Sequence, residues 1–194
     1  MKILIATGNR HKLGELRVLL NVAGIEFVGT DAFANLPDPV EDADTFEGNA
    51  LIKARTLSEA TGLWTLADDS GLEVDALGGE PGVLSARYAG KHGDTPANNA
   101  KLLRELSGKA DRRARFRCAV ALVAPDGRSW TVDGTCEGHI IHAESGAGGF
   151  GYDPLFVPEG YAETFAQLGP DVKNGLSHRG KAVAKIKTIL QTLV

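Results

Sequence analysis

The sequence predicts an α/β fold built on a mixed β-sheet. Two short apolar runs, at residues 3–6 and 63–67, each end in small polar residues, which is typical of buried strands. Two further strand-like runs, 116–124 and 129–141, flank Pro125-Asp126-Gly127, a turn signal that predicts an antiparallel hairpin. Since no linker, internal repeat or low-complexity tract interrupts the chain, we expect one domain.

Four stretches carry apolar residues at helical spacing and predict helices. The first follows the first strand and closes at Gly24, and the second runs from an N-cap at Thr45 to about Ala60. The other two predicted helices cover residues 96–106 and 179–193. Loops are predicted for 31–44, rich in Pro and Asp, and for the glycine-rich stretch 78–93, and an extended segment is predicted for 152–158.

Composition limits the classes of function that residues 1–194 can have. The 21 basic and 25 acidic residues give a net charge of −4, which argues against a non-specific nucleic-acid or membrane-surface binder. No 18-residue apolar stretch or signal-peptide pattern is present, so we expect no membrane partner. Cys118 and Cys136 lack metal-site spacing, and two isolated thiols predict a cytoplasmic protein.

Two glycine motifs resemble phosphate-binding loops but lack the required context. Residues 146–151 match GxGxxG, yet Pro154 follows closely and disfavours the helix that a dinucleotide fold needs. Residues 175–181 match GxxxxGK, yet Ala182 stands where a P-loop has the Ser or Thr that binds magnesium. We therefore reject both interpretations.

Two polar segments stand where α/β sheets bind ligands, at the predicted carboxyl ends of strands. Residues 7–12 join a strand to a helix, and their small residues, the helix dipole and Lys12 favour a phosphate group. The adjacent carboxylates Asp68 and Asp69 favour a magnesium ion, and one member of the acidic run Glu41, Asp42, Asp44 and Glu47 is a candidate for a further ligand. An ordinary strand–helix turn and a capped turn with solvated aspartates remain the alternatives.

Two later segments favour the rest of a nucleotide. The cations Lys173, His178 and Arg179 precede or begin the last helix, where a bound anion would offset their repulsion from the helix dipole. Residues 150–153 place an aromatic face beside a polar acceptor, which suits stacking on a base. The alternatives are solvated helix-end charges and aromatic side chains of the core.

Six short segments follow one another along nearly the whole chain. They are Thr7-Gly8-Asn9-Arg10-His11-Lys12, Thr45-Phe46 with Asn49-Ala50 and Lys53-Ala54, Ala67-Asp68-Asp69-Ser70-Gly71-Leu72, Pro81-Gly82-Val83-Leu84-Ser85-Ala86-Arg87-Tyr88, Gly148-Gly149-Phe150-Gly151-Tyr152-Asp153-Pro154 and Ser177-His178-Arg179-Gly180. Each alone is weakly specific, but the ordered set resembles the inosine triphosphate pyrophosphatase (Ham1-like) family.

The resemblance implies both a fold and a reaction. The implied fold is an elongated, mixed, twisted sheet flanked by helices, with two lobes around a central nucleotide cleft and usually a homodimer. The implied enzyme is a hydrolase that needs Mg²⁺ and converts ITP, dITP or XTP and water into the nucleoside monophosphate and pyrophosphate. Such an activity cleanses the nucleotide pool.

The resemblance also implies roles for individual residues. Asp69 is the implied catalytic base and a metal ligand, and Glu41 and Asp68 are the other implied carboxylates at the metal ion. One departure concerns Gly48, where many relatives carry an acidic residue, so that Glu47 or Glu41 would have to compensate. The residues implied to bind substrate are Thr7, Gly8, Asn9, Arg10, His11, Lys12, Ser70, Phe150, Gly151, Tyr152, Asp153, Lys173, His178 and Arg179.

Base selection is expected to depend on the 6-keto edge of the purine. A donor from His178 or Arg179 facing that oxygen would accept hypoxanthine or xanthine and leave the amino group of adenine badly paired. Two other functions remain open: a pyrophosphatase for modified pyrimidine or methylated nucleotides, and a non-catalytic nucleotide-binding module.

Overall fold

A six-stranded sheet with helices against it organises the chain in a computed structural model that describes residues 1–193. In chain order the strands and α-helices are β1 (Lys2–Ile5), α1 (Arg10–Leu19), β2 (Glu26–Gly29), α2 (Phe46–Thr61), β3 (Trp64–Val74), α3 (Thr95–Glu105), β4 (Arg113–Val123), β5 (Ser129–Ile140), β6 (Phe156–Pro158), α4 (Pro170–Leu176) and α5 (His178–Gln191).

The sheet has the order β2-β1-β3-β4-β5-β6 and contains both strand directions. β1 pairs in parallel with β2 on one side and with β3 on the other, whereas β5 and β6 pair antiparallel. The mixed α/β sheet flanked by helices that the sequence predicts is therefore confirmed.

The helix boundaries follow the capping signals in the sequence. The Thr45 hydroxyl accepts a hydrogen bond from the Gly48 amide at the start of α2, and Gly62 ends the helix in the left-handed conformation with φ 67°. At α1 the side chain of Asn9 accepts hydrogen bonds from the amides of His11 and Lys12. The predicted bounds of α2 are correct to within one or two residues.

Four segments differ from the sequence prediction. β3 does not end at Asp68 but continues to Val74, so both aspartates lie within a strand. β2 and α4 were not predicted, because β2 has four residues and α4 combines Pro, Asp, Asn and Gly, all poor helix formers. The predicted irregular loop 78–93 contains a 3₁₀ helix over Gly82–Arg87.

The chain forms two compact units, each with a hydrophobic core. The first unit comprises Met1–Asp69, Cys118–Gly134 and residues 179–193, and its core includes Ile3, Ile5, Leu66, Val120 and Ile186. The second unit comprises Ser70–Arg117 and Thr135–His178, and its core includes Leu72, Leu102, Phe116, Phe156 and Phe165. Within residues 1–193 we find no helix with the length and apolarity needed to span a bilayer.

Candidate active site

The loop after β1 forms an exposed turn into α1 within the first unit. Gly8, Asn9, Arg10 and His11 are exposed, while Lys12 is partly buried. A Cβ atom added at Gly8 would meet nothing within 4 Å, so the backbone at this position is open to a ligand. The Asn9 side chain accepts hydrogen bonds from the amides of the first turn of α1. A phosphate bound here would share those amides with Asn9 or replace it as their acceptor.

Lys53 of α2 lies between two carboxylates of the same unit. Its Nζ atom is 3.1 Å from Glu41 Oε2 and 3.1 Å from Asp69 Oδ1. The side chains of Lys53 and Asp69 are each only 12% exposed, so water screens this pair weakly. Glu41, from the loop before α2, and Asp69, from β3, thus meet at a single cation.

Asp68 lies at the centre of a second, more deeply buried set of charges in the first unit. Its Oδ2 atom accepts hydrogen bonds from Arg179 Nε at 3.2 Å and Nη2 at 3.0 Å, and Lys12 Nζ lies 3.4 Å away. Arg179 Nη1 also donates to Glu15. The Oδ1 atom of Asp68 is buried and has no hydrogen-bond partner among the described residues. Lys12 and Arg179 therefore compensate the Asp68 charge, and Oδ1 keeps unused acceptor capacity.

The two neighbouring aspartates have pKa values shifted in opposite directions. Burial alone would raise the pKa of Asp68, but Lys12 and Arg179 outweigh burial and hold it well below the usual range. For Asp69, burial raises the pKa above its ordinary value despite the opposing charges of Lys53 and Lys12. Asp68 therefore stays ionised at neutral pH, while Asp69 is the better proton acceptor of the two.

The donor set fits a metal ion that is completed by substrate rather than enclosed by protein. Within residues 1–193 no three His, Cys, Asp or Glu side chains converge to hold a metal. However, Glu41 and Asp69 already share one cation, the Lys53 ammonium, at the same distance from each. Mg²⁺ typically takes one or two carboxylates together with waters and substrate phosphates, and this pair supplies that number.

The structure explains why glycine occupies position 48 at the start of α2. A Cβ atom there would lie 2.7 Å from the Cβ of Ala43 and 3.0 Å from the capping oxygen of Thr45. Glu47, one of the two acids expected to compensate, instead accepts a hydrogen bond from the Thr131 hydroxyl at 2.9 Å. Of those two acids, Glu41 is the one that reaches the cation beside Asp69.

An aromatic cluster lies in the second unit, built from Phe150, Asp153, Lys173, His178 and Phe116. Asp153 Oδ2 accepts hydrogen bonds from the Lys173 ammonium at 2.7 Å and from the Phe150 amide at 2.9 Å. Lys173 Nζ also lies 4.9 Å from the centroid of the Phe150 ring. The His178 ring stacks on Phe116, with centroids 4.8 Å apart and planes inclined by 14°. The cluster thus combines aromatic faces with a buried ion pair.

The other predicted substrate residues of the second unit have mainly structural contacts. The Tyr152 hydroxyl donates to the Ser85 carbonyl at 2.7 Å, and the Gly151 carbonyl accepts from Asn99 Nδ2 at 3.3 Å. Ser70 lies in β3 directly after Asp69 and is partly buried. These contacts fix the loop that carries Phe150, while its contact with a nucleotide stays a prediction.

Two residues of the charged clusters were absent from the predicted site. Lys53 lies among the buried α2 positions Ala50, Ala54 and Leu57, and a cation in such a stripe signals a buried partner. Glu15, the partner of Arg179, had no comparable signal because Leu16 is the only buried residue of α1.

Comparisons with known proteins show which family the chain as a whole is similar to. A sequence profile of the Ham1 family matches residues 3–189. A relative named dITP/XTP pyrophosphatase from Desulforamulus reducens is 50% identical over 195 residues, which cover 100% of this chain and 97% of the relative. A dITP/XTP pyrophosphatase from Streptomyces coelicolor is 48% identical, with 100% and 98% covered. The solved HAM1 protein of Coxiella burnetii superposes with a TM-score of 0.91 at 40% identity, covering 99% of each chain.

The resemblance seen in the sequence is thereby confirmed, and the chain belongs to the Ham1 family.

Proposed function

We propose that this protein hydrolyses non-standard purine nucleoside triphosphates, ITP, dITP and XTP, to the monophosphate and pyrophosphate. The observation that supports it most directly is that Glu41 and Asp69 both contact the Lys53 ammonium. Asp69 lies on β3, the strand next to β1, and β1 leads into the exposed loop 7–12. Carboxylates for a metal ion and cations for phosphates are the groups that this hydrolysis requires. The relatives named dITP/XTP pyrophosphatase, about 50% identical, support the choice of substrate.

In this proposal the residues of the first unit carry out the chemistry. Glu41 and Asp69 would hold Mg²⁺, which when bound neutralises charge on the phosphate oxygens. Asp69 accepts a proton from the attacking water as the water oxygen bonds to the first phosphorus and the bridging oxygen leaves with the pyrophosphate. Lys12 and the amides of the loop after β1 bind the phosphates, and Asp68 holds Lys12 in place.

We assign base recognition to the aromatic cluster because its side chains have the chemistry that a base requires. Phe150 offers a ring face, Lys173 is held beside it by Asp153, and His178 is fixed by its stack on Phe116. Because aromatic faces stack on any base, hydrogen-bond donors must select a 6-keto purine over adenine.

The magnesium ion, the homodimer and the cytoplasmic location belong to the same proposal. Glu41 and Asp69 support the ion, and the family resemblance alone supports the dimer. Cys118 and Cys136 are both buried thiols, which is consistent with a reducing compartment.

A product assay tests the proposed function directly. The wild-type protein is incubated with Mg²⁺ and ITP, dITP, XTP, GTP, ATP or a modified pyrimidine triphosphate, and pyrophosphate and orthophosphate are measured separately. We expect pyrophosphate from the first three substrates, and much less from ATP. Orthophosphate as the main product, or preferred turnover of a pyrimidine nucleotide, would contradict the proposal.

A further inference from the structure

We propose that the Lys53 ammonium occupies the cation position between Glu41 and Asp69 in the ligand-free enzyme, so that a divalent ion binds there tightly only together with a nucleotide. The inference rests on the proposed function, since it concerns how the same site is loaded. It adds a role for Lys53 as a positioning residue that keeps the carboxylate pair from binding ions without substrate.

The contacts of Lys53 carry the first step. Its Nζ atom lies 3.1 Å from one oxygen of each carboxylate, and these are the two carboxylates that an incoming ion needs. The Lys53 and Asp69 side chains are each 12% exposed, so their charges interact through little water. A divalent ion between Glu41 and Asp69 would meet the ammonium at close range, and like charges so close repel strongly.

The second step concerns what removes the ammonium from the pair. A triphosphate supplies several negative charges that can take Lys53 as a counter-ion, and the lysine has a long, flexible stem with which to reach them. The phosphate oxygens also complete a magnesium shell for which the described residues provide two shared carboxylates. Ion and nucleotide therefore each strengthen the binding of the other, by the same factor.

Manganese binding in the absence of nucleotide tests this role without relying on activity. Free Mn²⁺ is followed by its electron paramagnetic resonance signal during titration of wild type, Lys53→Met, Lys53→Gln and Lys53→Arg. We expect both neutral variants to bind Mn²⁺ at least about tenfold more tightly than wild type, within the range usual for coupled sites. The arginine variant keeps the charge and should bind as weakly as wild type.

Two control variants locate the effect. Lys185→Met removes a lysine whose ion pair with Asp133, at 2.9 Å, is exposed, and it should bind Mn²⁺ like wild type. The double variant Glu41→Gln with Lys53→Met should lose the gained affinity, because one carboxylate of the pair is gone. Neutral Lys53 variants that bind no tighter than Lys185→Met would overturn the inference.

The wild-type protein provides a second test that does not depend on the folding of any variant. Its Mn²⁺ affinity is measured with and without an α,β-methylene analogue of ITP, corrected for Mn²⁺ bound by the free analogue. Equal affinities would overturn the inference even if the enzyme releases pyrophosphate normally. Conversely, if wild type hydrolyses no nucleotide while Lys53→Met still binds Mn²⁺ more tightly than wild type does, the proposed function is contradicted and the role of Lys53 stands.

Discussion

Replacing Asp68 by Asn should strongly destabilise the protein at neutral pH, because it leaves Arg179 and Lys12 without their shared counter-charge. Asp68 is fully buried and accepts two hydrogen bonds from Arg179, whose side chain is only 1% exposed. Removing one partner of a buried ion pair typically costs about 3–5 kcal/mol. Since Arg179 keeps Glu15 as a partner, we expect a loss of about 3 kcal/mol, the lower end of that range.

Urea unfolding at pH 7 measures this loss, and Asp133→Asn provides the matched control. Asp133 pairs with Lys185 at 2.9 Å, but both side chains are more than half exposed, so its removal should change stability by about 0–1 kcal/mol. For a chain of this length a loss of about 3 kcal/mol corresponds to a fall in Tm of about 6–12 °C. An Asp68→Asn protein within 1 kcal/mol of wild type would refute the assignment of Asp68 as the compensated centre of the cluster.

The pH dependence of the stability difference between wild type and Asp68→Asn tests whether that difference is electrostatic. The folded protein holds the pKa of Asp68 below its ordinary value, so Asp68 contributes its full stabilisation above the unfolded pKa of about 3.9. As the pH falls below that value the stabilisation decreases, by about 1.4 kcal/mol per pH unit, until the lowered folded pKa is reached. The gap between wild type and Asp68→Asn should therefore narrow in acid, and a gap that stays constant would indicate lost packing instead.

Three further predictions concern the active site and the helix before it. Asp69→Asn should abolish turnover of ITP and leave nucleotide binding, measured by calorimetry in the absence of divalent ions, largely intact, and an active variant would contradict its role as base. Because burial raises the pKa of Asp69, the acidic limb of kcat/KM should have its midpoint above about 3.9, and a limb at or below that value would argue against it. Gly48→Ala should lower the free energy of unfolding by about 1–3 kcal/mol through contact with Ala43, whereas Gly14→Ala, in open space on α1, should raise it by about 0.5–1 kcal/mol. Equal effects of the two alanines in thermal unfolding would refute the crowding argument.

The parts of the fold that depend on local signals were predicted well. The cap at Thr45, the left-handed Gly62 and the hairpin turn at residues 125–127 act over a few residues, so the sequence pattern determines them. β2 was missed because its stability comes from pairing with a strand distant in the chain, and α4 was missed because its residues are poor helix formers. The residues of β2 pair in register with Lys2–Ile5, and no periodic apolar pattern marks them.

The end of β3 shows most clearly where sequence reasoning fails. Asp68-Asp69-Ser70-Gly71 has the composition of a turn, yet it lies within an eleven-residue strand. The carboxylates are tolerated there because Lys12, Lys53 and Arg179 bring positive charge from three other segments. That compensation depends on contacts separated by up to 111 residues, which composition and periodicity do not reveal.

The strand itself explains how two adjacent aspartates come to differ in chemistry. Successive side chains of a strand point to opposite faces, so Asp68 and Asp69 have different surroundings although they are neighbours in sequence. Asp68 meets Arg179 and Lys12 and stays ionised, which makes it suited to hold cations in place. Asp69 meets Lys53 in a less compensated position, where burial raises its pKa and favours proton transfer. Had β3 ended at Asp68, as the sequence predicts, both carboxylates would lie in one solvated turn and nothing would separate their roles.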